Sequence, residues 1–416
     1  MFKNVLARAV VVTVLFALTS WASPSNPNAI LQARQLLQYL VNISGQKILS
    51  GQESMFSDGT FPSKRDQTVK QKTGKYPALY TSDFGDVNTG NLSDRNKVVS
   101  NAIAYHAKGS IIAFQYHMIQ PDLADGAGFS AMNIKGSTYT HVPEILTAGS
   151  ALNTVFNKRL DELAGYFKTL ETAGIAVLFR PFHEMNGDFF WWSFQDRFKE
   201  LWIYEWNYLT NTKKCNNLLW VFGVNWYGSA APTSKQSPSF YYPGHAYVDV
   251  LGCDFYTTYG HSYDKRIHDE LRTLGGGKPI AIAENGTMPD IPTLRATQPY
   301  WVYWSTWWGF EDAGHGNTDA LYTKNYGDPS VITQDEVSIP TAISPFARHT
   351  EEAFQNVDGI FFTRQNIQSM TTQGFRDQTE IFSINGKREA TLRGNLGSTS
   401  YNRFPAGVFI FRAKGK

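Results

Sequence analysis

Cysteine is nearly missing from this 416-residue chain: only Cys215 and Cys253 occur. That count excludes a disulfide-framed scaffold and a cysteine-rich metal site. It also leaves no bridge between the two. Cys215 stands just before an apolar strand candidate, Leu218 to Val224, and Cys253 lies late in another, Val248 to Phe255. On adjacent parallel strands they fall at opposite rims, separated by roughly 20 Å for a six-residue strand, against a limit of about 7 Å between bridged Cα atoms. Two free thiols are expected. Long apolar runs are scarce too: past the first 22 residues no stretch of 18 apolar residues appears, so no membrane-spanning helix is expected. Charge of one sign is not in excess. The 38 basic and 36 acidic residues nearly cancel, which leaves no footprint for nucleic acid or an anionic surface. The nine histidines are scattered, and His245, His261, His268 and His315 lack zinc-ligand spacing. Gly275-Gly276-Gly277 runs into Lys278 without the Ser or Thr that a phosphate-binding loop needs. No metal and no cofactor are expected.

Aromatic residues are plentiful. They reach 14 %, with 11 Trp and 21 Tyr, more than a core requires, and polar-tipped rings suit a surface that stacks on sugar faces. The first 22 residues carry Lys3 and Arg8, then the apolar run Ala9 to Leu18, then Ser20-Trp21-Ala22 ahead of Ser23-Pro24. These are the three parts of a secretory leader, so the mature chain is expected to begin near Ser23 and to be exported, either released or held at the cell surface.

Beyond the leader, apolar strand candidates alternate with helical stretches, the pattern of a parallel sheet wrapped by helices. Eight strands are expected: Lys47 to Gly51, Ala78 to Asp83, Ile111 to Tyr116, Ala176 to Phe182, Leu218 to Val224, Val248 to Phe255, Pro279 to Glu284 and Tyr300 to Trp307. Apolar residues recur at helical spacing over Asn28 to Val41, Asn96 to Lys108, Thr154 to Thr172 and Arg197 to Asn211. Eight strand-helix units in about 250 to 320 residues describe a (β/α)8 TIM barrel, an α/β fold. Val331 to Val337 reads as a last short helix closing it. The long connection Met118 to Ser150, with Gly126, Gly128 and Gly136, is expected to wall the cleft above the strand ends. Past Arg348 the pattern changes to short strands separated by turns. The expected organisation is a leader over 1–22, the barrel over 23–338, a linker over 339–350 and a small all-β module over 351–416.

The informative stretch is Arg180-Pro181-Phe182-His183-Glu184-Met185-Asn186-Gly187 with Phe189-Phe190-Trp191-Trp192 behind it. It follows the strand Ile175 to Phe179, so Glu184 sits just past a strand's C-terminal end, where barrel enzymes carry their chemistry. Pro279 to Ala283 ends the same way, in Glu284 and then Asn285-Gly286. Two carboxyls flanking a sugar ring are what cleavage of a glycosidic bond requires: one donates a proton to the leaving oxygen and the other works from the opposite face. Strands four and seven face each other across a barrel mouth. That placement favours the short separation, about 5 to 5.5 Å, at which the second carboxylate attacks directly and configuration is retained.

These pieces, with Tyr116-His117, Tyr242-Pro243-Gly244, Tyr247-Val248-Asp249 and Gly252 to Tyr256, resemble glycoside hydrolase family 26, the retaining enzymes typified by endo-β-1,4-mannanases. The resemblance covers roughly residues 28 to 338. It implies that Glu184 is the general acid/base and Glu284 the nucleophile, and that His117, His183 and Tyr256 line the subsite of the cleaved sugar. The substrate it implies is a β-mannan polysaccharide, that is mannan, glucomannan or galactomannan. Other β-linked glycans such as xylan or mixed-linkage glucan are the enzymatic alternative, and a non-catalytic carbohydrate-binding barrel is the alternative of another class. Physical roles can be attached to the residues. Glu184 needs a raised pKa, for which Trp191 or Trp192 and Glu284 are candidates. Arg180 is placed to balance the carboxylates, and Tyr256 to donate to Glu284. Trp192 and Trp304 are expected to contact sugar, with Trp304 the stacking platform of strand eight. Phe189 stands where many family members carry tryptophan.

The C-terminal module resembles a sorting domain of the type IX secretion kind. The likeness rests on Phe382-Ser383-Ile384-Asn385-Gly386-Lys387, Pro405-Ala406-Gly407-Val408-Phe409-Ile410 and the basic end Arg412, Lys414, Lys416. It implies secretion machinery as a partner.

Overall fold

The computed structural model describes residues 22–54, 61–85, 95–124, 132–228, 231–256 and 263–340, together with four strands nearer the C-terminus. Apart from Ala22, the expected leader lies outside the described residues, as does most of the expected linker. The chain divides into two compact units, Met1–Thr341 and Ala342–Lys416.

The first unit is built on the strands β1 (Ile48–Leu49), β2 (Gly51–Glu53), β3 (Leu79–Asp83), β4 (Ile111–Tyr116), β5 (Val177–Pro181), β6 (Leu218–Asn225), β7 (Val250–Phe255), β8 (Ile280–Asn285) and β9 (Trp301–Thr306). All neighbours pair in parallel, from Gly51 opposite Leu79 round to Gln52 opposite Thr306, which closes the barrel. The eight expected strand positions are all filled. The first is forked at Ser50, because β1 also pairs with β10 (Val331–Ile332) on its outer side. Ser50 ties the fork by donating both its N–H and its hydroxyl to the Ile332 carbonyl, at 3.0 and 2.9 Å.

Around the barrel run α1 (Leu31–Ile43), α2 (Lys64–Thr73), α3 (Arg95–His106), α4 (Val142–Ile145), α5 (Ala151–Thr172), α6 (Phe198–Asn207), α7 (Pro238–Tyr241), α8 (Lys265–Gly275), α9 (Ile291–Thr297) and α10 (Asp319–Tyr326). Local chemistry starts and stops them. Ser63, Ser150, Asp264, Asp290 and Thr318 each accept a hydrogen bond from a first-turn N–H, which satisfies one of the donors a helix start leaves bare. Gly74 and Gly276 end α2 and α8 in the left-handed conformation. The stretch Val331 to Val337, expected as the closing helix, is instead β10 followed by a 3-10 turn, Gln334–Glu336, capped by Thr333 and Glu336. Its two β-branched residues are buried beside β1, where pairing satisfies their backbone, and α10 closes the barrel instead.

Two faces of the sheet make two cores. Outward residues such as Phe114, Phe179, Trp220, Phe222 and Trp301 pack under the helices. Inward residues such as Ala113, Leu178, Val221, Ala281 and Tyr303 cluster with Leu36, Leu37 and Leu40 of α1, so α1 seals the end of the barrel away from the strand C-termini. Both cysteines are free and buried, as expected. Burial pushes the Cys215 thiol up to about 12 and Cys253 well above its ordinary value, so neither is a ready nucleophile.

The second unit contains β11 (Ile360–Thr363), β12 (Gln378–Ser383), β13 (Arg388–Arg393) and β14 (Val408–Ala413), an antiparallel sheet in the order β11-β14-β12-β13.

Candidate active site

Alternation along β5 turns Leu178 and Arg180 into the barrel and Phe179 out under the helices. Arg180 needs room there. Gly223 on β6 supplies it, since a Cβ at that position would lie 2.8 Å from the Arg180 side chain. Past Pro181 the chain makes a turn in which Phe182, Glu184 and Asp188 have φ of 45°, 56° and 59°. Left-handed backbone at non-glycine residues persists only where the surroundings over-determine it.

Here they do. Glu184 donates its N–H to Gly223 O at 2.8 Å, and Gly187 N–H returns to Glu184 O at 2.9 Å. Asn186 donates to Asn225 O and Gln236 O and accepts from Asn225 N, at 2.8, 3.0 and 2.7 Å. Trp192 donates its indole N–H to His183 O at 2.7 Å, and Trp191 to Met118 O at 2.8 Å. Both indoles are fully buried. Trp192 therefore braces the acid-bearing turn from behind and has no face to offer a sugar, which corrects its expected role. The connection after β4 rests on the same turn: Ser137 donates through N–H and hydroxyl to Asp188, and Gln195 donates to Gly136 O and Tyr139 O. Residues 125–131 of that connection lie outside the described residues.

Glu284 arrives by a different device. On β8, Ala281 and Ala283 face inward, so strict alternation would send Glu284 out. The β7–β8 register slips by one residue between Cys253 and Asp254, which sets Asp254 opposite Glu284. Such an irregularity re-aims a side chain, and this one turns Glu284 into the barrel mouth.

Glu184, Asp254 and Glu284 each bring a carboxylate oxygen within 4.8 Å of the others. Arg180 donates Nη2 to Glu284 Oε2 at 2.6 Å and Nη1 to Asp254 Oδ2. The Tyr256 hydroxyl donates to Glu284 Oε1. Among the described residues this is the group that could hold a cation, and Arg180 already supplies positive charge to two of its three carboxylates. Burial opposes the charge on Arg180, but Asp254 and Glu284 outweigh it and raise its pKa, so it stays protonated. Glu184 has no such partner: among the described residues nothing donates to its carboxyl. Burial, then Asp254 and Glu284, lift its pKa well above the ordinary range. Burial and the same negative neighbours keep Tyr256 a hydroxyl. One carboxyl is thus a stored acid, and the facing one is held by a guanidinium and a phenol hydroxyl.

On the other side of the cleft His117 Nδ1 meets Asp83 Oδ2, and its N–H donates to Asp83 Oδ1 at 3.1 Å. His117 Nε2 lies 2.9 Å from His183 Nε2. Burial, reinforced by Arg180 and His117, holds the His183 pKa well below its ordinary value, so it is neutral. Phe189 is half-buried and folds over Gly187, where a Cβ would lie 2.1 Å from its ring.

Trp304 does not reach the cleft. It is 0 % exposed, on the outer face of β9, with its ring edge-on to Tyr326 of α10 at 6.0 Å. Three residues on, an odd step along the strand, Trp307 is half-buried and meets the His117 ring at 5.8 Å. It takes the place expected of Trp304. Reading also missed Asp254, Asp83 and the buried Glu53, which accepts from Gln115 Nε2 at 2.8 Å. Asp83, Asp254 and Glu284 end or nearly end their strands and Glu184 follows its own, so that one rule applied to every strand finds them.

The glycosyl hydrolase family 26 model matches residues 25–336. A mannan endo-1,4-beta-mannosidase of Bacillus subtilis is 30 % identical over 311 residues, spanning 68 % of this chain and 82 % of that protein. Among solved structures, GH26A from Muricauda sp. superposes with a TM-score of 0.68 at 30 % identity, over 75 % of this chain and 99 % of that one. A beta-mannanase from a symbiotic protist of the termite Reticulitermes speratus, complexed with gluco-manno-oligosaccharide, does so with a TM-score of 0.65 at 28 % identity, over 76 % and 98 %.

Proposed function

This chain belongs to glycosyl hydrolase family 26, and from that membership and the geometry of its carboxylates we propose an endo-acting β-1,4-mannanase that retains configuration. The observation that carries the reading is the closeness of Glu184 and Glu284, with oxygens within 4.8 Å across the barrel mouth and only the second ion-paired. A pair this close falls short of the roughly 6.5 to 9.5 Å at which inverting enzymes seat the attacking water beside the sugar, and it suits direct attack.

In the proposed cycle Glu184 gives its proton to the glycosidic oxygen as the bond to the anomeric carbon breaks. Glu284, aimed by Arg180 and Tyr256, attacks that carbon from the opposite face and forms a glycosyl ester. Glu184, now ionised, takes a proton from water, whose oxygen replaces Glu284 at the anomeric carbon. Trp307 borders the sugar with His117 behind it, the fully buried His183 supports His117 through their Nε2 contact rather than meeting the sugar as expected, and Phe189 stands at the rim. No metal or cofactor enters these steps. We further propose that the protein is exported, with residues 1–22 as a removable leader and residues 351–416 as a sorting module.

A digest of purified mannan, glucomannan and xylan tests the substrate. Short manno-oligosaccharides from the first two, with xylan intact, are expected; preferential release from xylan would overturn the mannanase reading.

A further inference from the structure

The Tyr256 hydroxyl touches Glu284, yet the residue as a whole is 39 % exposed, so burial alone does not hold it in place. What holds it is a clasp from the neighbouring strand end. The Phe310 ring stands edge-on to Tyr256 at 5.7 Å and is backed by His315 at 4.4 Å. Both rings press on Gly286, two residues beyond Glu284. A Cβ there would lie 2.9 Å from Phe310 Cε1 and 3.2 Å from Tyr256 Cδ1, so glycine alone admits this packing.

The loop that carries Phe310 is pinned by Asn317, which is fully buried. Its amide donates to Phe310 O and, at 3.0 Å, to Gly286 O, while its oxygen accepts from Met288 N at 2.7 Å. Both donors and one acceptor site of the side chain join the loop after β9 to the loop after β8. Thr287 adds a second tie, donating to His315 O at 2.8 Å.

We propose that Phe310, fixed by Asn317, is a positioning residue of the hydrolytic site: by packing on Gly286 and Tyr256 it keeps the Tyr256 hydroxyl on the nucleophile. This rests on the mannanase reading for the role of Glu284. The Tyr256 hydroxyl aims the attacking oxygen of Glu284, so losing the contact weakens the hold on the transition state more than the binding of substrate.

The experiment compares wild type, Phe310→Leu, Phe310→Tyr, Tyr256→Phe and the Tyr256→Phe/Phe310→Leu double on manno-oligosaccharides. Phe310→Leu is expected to lower kcat by about tenfold with little change in KM, the pattern of a contact that matters in the transition state. Tyr256→Phe should show the same split between kcat and KM, and Phe310→Tyr, which keeps the ring, should restore kcat. The double should lose no more than about twofold beyond Tyr256→Phe, because residues acting through one contact are not additive. Losses that multiply in the double, or a loss in Phe310→Leu that falls on KM and leaves kcat unchanged, would overturn the proposal. If Phe310→Leu does not fold, Gly286→Ala displaces the same ring and is read by the same split between kcat and KM. If wild type spares mannan but cleaves another β-glycan, the substrate reading fails, and the comparison proceeds on that glycan.

Discussion

Glu184 and Glu284 differ in what surrounds them more than in what they are. One is buried with no donor among the described residues, and the other is held by a guanidinium and a phenol. The raised pKa of Glu184 sets the alkaline limb of activity, since turnover is lost as pH rises through the value at which it releases its proton. Replacing it isolates that role. Glu184→Gln is expected to slow cleavage of unactivated mannan by about 10²- to 10⁴-fold, to remove the alkaline limb, and to leave formation of the intermediate from aryl glycosides with good leaving groups much less affected. Equal losses on both substrate types would contradict the acid assignment. At this scale the placement of the two glutamates, Arg180, His117, His183 and Tyr256 at or just past strand ends was legible, because each lies in a motif that follows an apolar run. Trp192 and Trp304 were misplaced for one physical reason. A tryptophan near a cleft in sequence either stacks on sugar or supports the wall, and only packing decides which; here His183 O and α10 claim them.

Among the elements, the strands were legible nearly to the residue, since parallel barrel strands are apolar on both faces and bounded by breakers. Helix α2 was not. Its sequence Lys64–Thr73 is polar and buries a single apolar residue, Val69, so it has no periodic stripe to detect. The slip between β7 and β8 was invisible for a related reason: one extra residue leaves composition unchanged while reversing which side chains face in. Helix α6 carries an unexpected cost. Glu205 is fully buried, neither carboxyl oxygen has a partner among the described residues, and burial raises its pKa from 4.5 to about 8. A carboxyl that is harder to ionise when folded leaves stability untouched below about pH 4.5. Stability then falls as pH rises, because the unfolded chain releases a proton that the folded one keeps, and the full loss is reached above about pH 8. For an isolated group the shift corresponds to roughly 5 kcal/mol. Glu205→Leu is therefore expected to match wild type near pH 4.5 and to melt several degrees higher at pH 8. Parallel melting curves for the two proteins across that range would show that Glu205 is solvated or paired in solution.

For the whole molecule, the barrel carries every residue of the proposed chemistry, and the family match ends within it, at residue 336. The unit that follows has its own antiparallel sheet. Removing residues 342–416 is expected to leave kcat/KM on manno-oligosaccharides within about twofold, since no group that touches substrate is lost. Loss of soluble folded protein on truncation would show instead that the barrel depends on the second unit. The central claim remains a spatial and chemical one, that Glu284 attacks the sugar while Glu184 supplies the proton. It is tested most directly by trapping the enzyme with a 2-deoxy-2-fluoro β-mannosyl fluoride and mapping the adduct by mass spectrometry. The account predicts one fluorosugar per chain, esterified to Glu284; an adduct on Asp254 or Glu184, or none during turnover with inverted product, would contradict it.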